Sequence, residues 1–453
     1  MEINPQIYRE YDIRGVVDRD LTPEVVRTLG QGFGTTMIRL GRKELIVGRD
    51  GRLSSKPLSE ALIEGLLSTG CNVLDIGLCP TPVYYFSLFH FGRDGGMMVT
   101  GSHNPPEFNG FKVSVGQSTI FGEAIQELRR LIEKGEFARG AGTLSRGEII
   151  ESYQEYIKKN IHLEKGIKVV IDGGNGTAGP VAVPLLRDLG CEVEGLFCEV
   201  DGRFPNHFPD PTIPENLKAL ITRVKETEAQ VGIGYDGDAD RIGVVDDRGN
   251  IIWGDQLMIL FAREILKEKK GATFVAEVKC SQNLFDDIER HGGRAIMWRT
   301  GHSLIKEKMK EEKAVLGGEM SGHLFFAHRY FGYDDAIYAS CRLLELLSKT
   351  ERKLSELLED LPKTFNTPEI RVACRDEIKF KVVEKVKEAL RKGHEIIDVD
   401  GVRVKFGDGW GLVRASNTQP VLVLRFEARS EERLHEIKAF VEEEVRKAMS
   451  TFP

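Results

Sequence analysis

Ser102 lies in the segment Thr100-Gly101-Ser102-His103-Asn104-Pro105, and far downstream three carboxylates alternate in Asp236-Gly237-Asp238-Ala239-Asp240-Arg241. A hydroxyl can carry a phosphoryl group, and three hard oxygen ligands in one short segment can hold a divalent cation against it. Carboxylates separated only by Gly and Ala repel one another unless a cation neutralises them. Alternating Asp also opens an EF-hand calcium loop, which needs Gly at position six and Glu at position twelve. Counted from Asp236, those positions hold Arg241 and Asp247. The triplet therefore reads as an all-oxygen site suited to Mg2+, and with Ser102 it points to phosphoryl transfer through a phosphoserine. His103 adjoins the serine and Lys112 follows in Asn109-Gly110-Phe111-Lys112, a base and a cation beside the hydroxyl.

These groups must be held by strand ends. The apolar run Gly96-Met97-Met98-Val99 predicts a buried strand just before Ser102, and Pro105-Pro106 stiffens the chain after it. Val231-Gly232-Ile233-Gly234 and Ile242-Gly243-Val244-Val245 predict strands on both sides of the triplet. Ligand sites of open α/β sheets gather at such carboxyl ends.

At 453 residues the chain is long enough for two to four domains, and 41% hydrophobic with 29% charged residues is globular composition. A net charge of −7 argues against a general role on nucleic acid or an anionic membrane. The seven cysteines are odd in number and scattered, without C-x-x-C pairs, which predicts buried thiols in a reduced, cytoplasmic protein. Cys280, beside Lys279, reads as a core thiol. The opening Met1-Glu2-Ile3-Asn4-Pro5-Gln6 has neither a basic nor an apolar targeting stretch, and no membrane span is expected.

Strands near 45–48 and 73–76 alternate with helices over 54–69 and 123–134, and a glycine-rich connection spans 135–147. A second α/β unit starts at Lys168-Val169-Val170-Ile171-Asp172 and runs into Gly173-Gly174-Asn175-Gly176-Thr177-Ala178-Gly179 before a helix over 181–189. The G-x-G-x-x-G there, with Glu199 downstream, matches the dinucleotide fingerprint, but Pro180 and Pro184 sit in the helix that would follow. A third unit carries helices over 255–267, 284–291 and 335–348 and a strand over 273–278. Beyond Leu361-Pro362, strands near 370–372, 411–415 and 421–427 mix with helices over 380–391 and 431–449, a smaller α+β unit.

Five segments occur in order: Thr100 to Pro105, Asn109 to Lys112, Asp236 to Arg241, Gly318-Glu319-Met320-Ser321-Gly322-His323, and Arg414-Ala415-Ser416-Asn417-Thr418. With Tyr11-Asp12-Ile13-Arg14-Gly15 they span nearly the whole chain. In this pattern the chain resembles the α-D-phosphohexomutase family, and within it the bacterial bifunctional phosphomannomutase/phosphoglucomutase group. The resemblance implies four domains around a central cleft, three related α/β domains and a smaller α+β C-terminal one, with boundaries placed at 1–148, 149–250, 251–363 and 364–453. It implies interconversion of 1-phospho and 6-phospho mannose and glucose through a phosphoserine at Ser102 and a 1,6-bisphosphate, with Mg2+ on Ser102, Asp236, Asp238 and Asp240. Glucose 1,6-bisphosphate or mannose 1,6-bisphosphate would be intermediate and activator.

By the same resemblance Arg14 and Lys112 would stabilise charge, Lys112 or His103 would assist proton transfer, and Arg241 would touch phosphoryl or sugar. Glu319 and Ser321 would read sugar hydroxyls, and His323 would close that loop. Tyr11, Lys279 and His302 would line the cleft, and Arg414, Ser416, Asn417 and Thr418 would anchor the distal phosphate. A phosphohexose is the expected partner, with no nucleic acid or membrane, in a monomer or weak homo-oligomer. Phosphoglucosamine mutase, whose sugar loop carries Gln where Met320 stands, a strict phosphoglucomutase, and a non-catalytic sugar-phosphate-binding protein are the alternatives.

Overall fold

The computed structural model describes residues 3–417 and 419–452, so Thr418 lies outside the described residues. Four sheets succeed one another along the chain. The first three share one plan. In the first, Gly95–Val99 and Asn72–Leu78 flank Glu44–Arg49 in parallel. In the second, Val231–Tyr235 and Glu192–Leu196 flank Lys168–Asp172. In the third, Leu316–Gly318 and Arg294–Trp298 flank Thr273–Glu277. Each time the third parallel strand turns back into an antiparallel neighbour: Phe108–Val115, Ile242–Asp246 and Leu324–Phe326 respectively. The crossovers are helices, as parallel pairing requires, and they bury the sheets' apolar runs: Gly95–Val99 and Val231–Tyr235 are buried at every position.

This shared plan fixes where chemistry can sit. The Ser102 loop, the triplet and the Glu319 loop all occupy the turn between the third parallel strand and its antiparallel neighbour. Three loops with unrelated sequences thus project from equivalent carboxyl ends toward one cleft.

The sheets extend differently at their edges. Ile13–Val16 pairs with Phe108–Val115 in the first sheet, and Leu144–Arg146, inside the expected connection, extends it at the other edge. Ile251–Ile252 pairs with Ile242–Asp246 and so completes the second sheet, whereas the sequence reading opened the third unit there. The fourth sheet is antiparallel and covered by helices Lys379–Arg391 and Glu431–Ser450, which bury Val382, Val386, Ile437 and Val441 against it.

The fourth unit is fastened to the third by Arg403. Its fully buried guanidinium stacks 3.7 Å over the Trp410 ring and donates to Val278 O at 2.7 Å and Cys280 O at 2.8 Å. Cys280 is buried there as expected, and burial pushes its thiol well above the ordinary range. All seven cysteines are free thiols. Among the described residues no helix is long and apolar enough to cross a membrane.

Candidate active site

Ser102 sits in left-handed backbone, φ 49°, a costly conformation for a residue with a Cβ. The loop around it supplies the compensation. Ser102 N donates to Thr100 Oγ1 at 2.9 Å, and Gly101 N to Asp50 Oδ2 at 3.0 Å. Arg52 lies beneath, its side chain only 1% exposed and paired with Asp50 at 3.3 Å. It donates to the carbonyls of Ser102, Asn104, Pro105 and Phe108 at 2.8, 2.5, 2.6 and 3.0 Å. A Cβ on Gly101 would fall 2.3 Å from Arg52 Nε, so only glycine fits there. Asp50 and Arg52 were not picked out from the sequence. The signal was present in Arg49-Asp50-Gly51-Arg52, a charged turn at the carboxyl end of the strand beside Gly95–Val99.

The serine meets the triplet directly. Ser102 Oγ donates to Asp236 Oδ2 at 2.9 Å and lies 3.0 Å from His103 Nδ1. Burial, with Arg241 and Arg14 nearby, holds the His103 imidazole well below its ordinary pKa, hence neutral and able to accept a proton. The ligating oxygens of Asp236, Asp238 and Asp240 lie within 4.8 Å of one another, and all three side chains are buried. Burial and then the charges of Asp240 and Asp238 push the Asp236 carboxyl well above the carboxylate range. For Asp240 burial acts the same way, but Lys112, His323 and Arg241 outweigh it and hold the group well below. Lys112 is itself buried; its Nζ pairs with Asp240 and, at 2.9 Å, with Asp238.

One oxygen of the triplet, Asp238 Oδ1, is buried without any hydrogen-bond partner. Such an orphan is expensive unless a ligand meets it. The donor set of three carboxylates and a hydroxyl is all oxygen, and the triplet can hold a divalent cation.

The glycine-rich turn of the second unit explains itself here. Thr177 N donates to Gly237 O at 3.0 Å, and a Cβ on Gly176 would lie 2.6 Å from the same oxygen. A Cβ on Gly237 would in turn lie 2.5 Å from Ser102 O. The dinucleotide-like pattern thus lets one backbone pack on the triplet loop, and the triplet loop on the serine loop.

The Gly318–His323 loop closes on the same spot. His323 bridges Asp240 Oδ1 at 3.2 Å and Glu319 Oε2 at 2.7 Å, and Ser321 Oγ lies 3.3 Å from its Nδ1. Burial would lower the His323 pKa, but Asp240 and Glu319 raise it to about 9. Glu319, which burial alone would raise, is held down to about 2 chiefly by His323. Its other oxygen accepts from Gly301 N at 2.7 Å. Both oxygens are engaged, yet a carboxylate has about four acceptor sites, which leaves room for further donors. Arg241 Nε reaches His323 Nε2 at 3.3 Å. Met320 turns to the fourth unit, touching Arg425, while its backbone N donates to Glu277 Oε1 at 2.8 Å.

The remaining expected residues ring the cleft. Arg14, on strand Ile13–Val16, donates to Asn104 Oδ1 at 2.7 Å, beside the serine loop, and its Nε is buried without a partner. Lys279 Nζ stands 3.5 Å from Glu277 and 3.2 Å from Glu369 of the fourth unit. Arg414 Nε donates to Asp400 Oδ2 at 2.9 Å, and Thr300 N donates to that same oxygen at 3.1 Å. Ser416 Oγ accepts from Gln419 N at 3.2 Å within the loop. Tyr11 crosses the cleft: its hydroxyl donates to Thr300 O at 2.8 Å and accepts from Asn417 Nδ2 at 2.8 Å. Its ring is 5.8 Å from that of His302. Serine loop, triplet, Gly318–His323 loop and Arg414 loop, one from each unit, therefore converge. Glu277 and Asp400, which hold two of these loops together, were not picked out from the sequence.

Sequence models of four domains match this chain in order. They are described as phosphoglucomutase/phosphomannomutase alpha/beta/alpha domain I at residues 5–139, domain II at 151–249, domain III at 253–365, and the C-terminal domain at 369–444. The chain belongs to the phosphoglucomutase/phosphomannomutase family. A family member from Pseudomonas aeruginosa, a phosphomannomutase/phosphoglucomutase, is 47% identical over 99% of this chain and 97% of its own. A phosphoglucomutase from Neisseria gonorrhoeae is 44% identical over 96% of each. The crystal structure of a phosphoglucomutase/phosphomannomutase family protein from Burkholderia thailandensis superposes with a TM-score of 0.94 at 42% identity, covering 99% of this chain and 98% of that one. The family's four-domain α/β architecture is thus the one built here.

Proposed function

We propose that this phosphohexomutase interconverts the 1-phosphates and 6-phosphates of glucose and mannose through a phosphoserine at Ser102. The observation that carries the reading is the 2.9 Å hydrogen bond from Ser102 Oγ to Asp236, which sets a nucleophile of one domain against a carboxylate triplet of the next.

The phosphoserine donates its phosphoryl group to the free hydroxyl of a bound phosphohexose. The serine O–P bond breaks and the sugar O–P bond forms as the sugar hydroxyl's proton passes, by way of the neutral His103, to the serine oxygen, and a 1,6-bisphosphate results. After the sugar turns end for end, Ser102 Oγ attacks the other phosphate and the sugar oxygen leaves with a proton. The neutral His103, 3.0 Å from Oγ, is the neighbour that can take the serine proton. Lys112, Arg14 and Arg241 stabilise the spread phosphoryl charge. Asp236, Asp238, Asp240 and Ser102 would hold Mg2+, which supplies charge neutralisation at the phosphoryl oxygens when bound.

Arg414, with Nε spent on Asp400, keeps its two terminal nitrogens for the distal phosphate, assisted by Ser416 and Asn417. Thr418, outside the described residues, belongs to the same loop. Glu319 and Ser321 take sugar hydroxyls, while Tyr11, Lys279, His302 and His323 wall the cleft. The free thiols, six of them buried, favour a reducing compartment, the cytoplasm.

The test is a coupled mutase assay with Mg2+ and a trace of glucose 1,6-bisphosphate, on the 1-phosphates of glucose, mannose and glucosamine. Comparable turnover of the first two and little of the third is expected. Ser102→Ala should lose turnover and the phosphate seen by intact mass while still binding sugar phosphate. A preference for glucosamine 1-phosphate, or wild-type rates in Ser102→Ala, would overturn the reading.

A further inference from the structure

Asp334 stands behind the cleft wall, outside the residues given roles above. Its side chain is fully buried. One oxygen, Oδ1, accepts from Lys306 Nζ at 2.9 Å, and the other, Oδ2, has no hydrogen-bond partner. His302 Nδ1 stands 3.8 Å from Oδ2. His302 and Lys306 lie one turn apart on helix His302–Glu312 and so share a face. One carboxylate thus confronts two donors-in-waiting with two oxygens, and only one pairing is made.

We propose that Asp334 is the positioning residue of His302: its free oxygen accepts a hydrogen bond from Nδ1–H, fixes that tautomer, and leaves Nε2 as an acceptor for a sugar hydroxyl. The inference rests on the reading of His302 as a cleft residue. The gap exceeds an ordinary hydrogen bond by only about 1 Å, a small side-chain rotation. Burial, with Lys306, His323 and Lys112 nearby, keeps the His302 imidazole neutral, so it carries one proton and its placement matters.

The competing donor is Ser303 Oγ, 3.4 Å from Nδ1 and 3.2 Å from Thr119 Oγ1. If Ser303 donated to Nδ1, the proton would move to Nε2, and Asp334 Oδ2 would face a lone pair with no donor. A hydroxyl can turn to Thr119 instead, whereas a carboxylate can only accept. The Nδ1–H tautomer is therefore the one that offers Asp334 Oδ2 a donor. Asp240, His323 and Asp334 also bring their ligating atoms within 4.8 Å of one another. Lys112 on Asp240 and Lys306 on Asp334 already supply the cations there, so that grouping calls for no metal.

Nitrogen-15 NMR of histidine-labelled protein, with His302 assigned through His302→Gln, reads the tautomer directly. The wild type should show a protonated Nδ1 and a bare Nε2. Asp334→Asn keeps an oxygen for Lys306 but turns an amide N–H toward the ring. It should move the proton to Nε2 and lower kcat/KM about 10- to 100-fold. Ser303→Ala should leave the tautomer as it is. A wild-type Nε2–H ring, or an Asp334→Asn spectrum with the wild-type tautomer, would overturn the proposal. If Asp334→Asn does not fold, the wild-type spectrum still decides. The tautomer is read without turnover, so a failure of the mutase reading would be seen separately, in the coupled assay.

Discussion

Replacing Arg52 with methionine tests how the Ser102 loop is held. The guanidinium is buried, makes four hydrogen bonds to loop carbonyls and neutralises the buried Asp50. Methionine keeps much of the volume and removes all of that. Breaking a buried ion pair by deleting one partner costs about 3–5 kcal/mol. For a domain of this size that lowers the melting temperature by roughly 6–20 °C. The kinetic effect should be separable, because the Ser102 backbone, at φ 49°, would lose the group that bonds its carbonyl. A displacement of about 1 Å at a reacting atom costs on the order of 100-fold in rate. Arg52→Lys should fall between, since an ammonium can neutralise Asp50 but cannot span four carbonyls. Thermal denaturation and the coupled mutase assay, run side by side, measure both. An Arg52→Met protein that melts within a degree or two of wild type and turns over normally would refute the reasoning.

Three further outcomes are expected. Removing Lys112 as Lys112→Met leaves Asp238 and Asp240 without their ammonium; the variant should melt lower, and Mg2+ should raise its melting temperature more than it raises the wild type's, which a thermal-shift titration with and without Mg2+ would show. Arg414→Ala should raise KM for sugar phosphate about 10- to 100-fold, the worth of lost charged hydrogen bonds, and unchanged steady-state constants would remove the anchoring role. Asp335, buried under Tyr153 and Tyr330, is pushed up to about 7 by burial. Because its folded pKa lies above the unfolded one, its favourable contribution is complete below about pH 4 and is lost as pH rises through 7. That loss amounts to the order of 4 kcal/mol. Urea unfolding at pH 5 and pH 8 should therefore show a smaller fall in stability for Asp335→Asn than for wild type, and equal falls would contradict it.

Ser102, the aspartate triplet and the Arg414 loop were legible because chemistry-bearing side chains stand at unusual spacings just past apolar runs. Asp50 and Arg52 were not picked out: their charged turn past a strand was there to see, but the backbone carbonyls and amide they act on carry no mark in residue types. The strand Ile13–Val16 escaped for want of length and alternation: Ile-Arg-Gly-Val carries a charged Arg in the middle. Helix Thr81–His90 escaped because eight of its ten residues are buried, so no periodic apolar stripe marks it. The threefold repeat of sheet plan was invisible at residue level. An α/β core demands only apolar strands of sufficient length, and strand order is a property of space that no local run of residues encodes. Strand Ile251–Ile252 was misassigned for the same reason, since only its pairing reveals which sheet it joins.

The stack of Gly176 on Gly237 and of Gly237 on the Ser102 carbonyl has a consequence for how variants of this protein fail. Where Gly237 meets the Ser102 carbonyl, between the first two domains, bare main chain meets bare main chain and no side chain at that contact can rotate to absorb a mismatch. A substitution deep in either domain that shifts its sheet by a few tenths of an ångström is passed on undiminished to the distance between nucleophile and carboxylates. Harmful replacements should accordingly be scattered far from the cleft, and many should leave folding intact. Their signature is misalignment: a well-folded protein with an ordinary melting curve and little turnover.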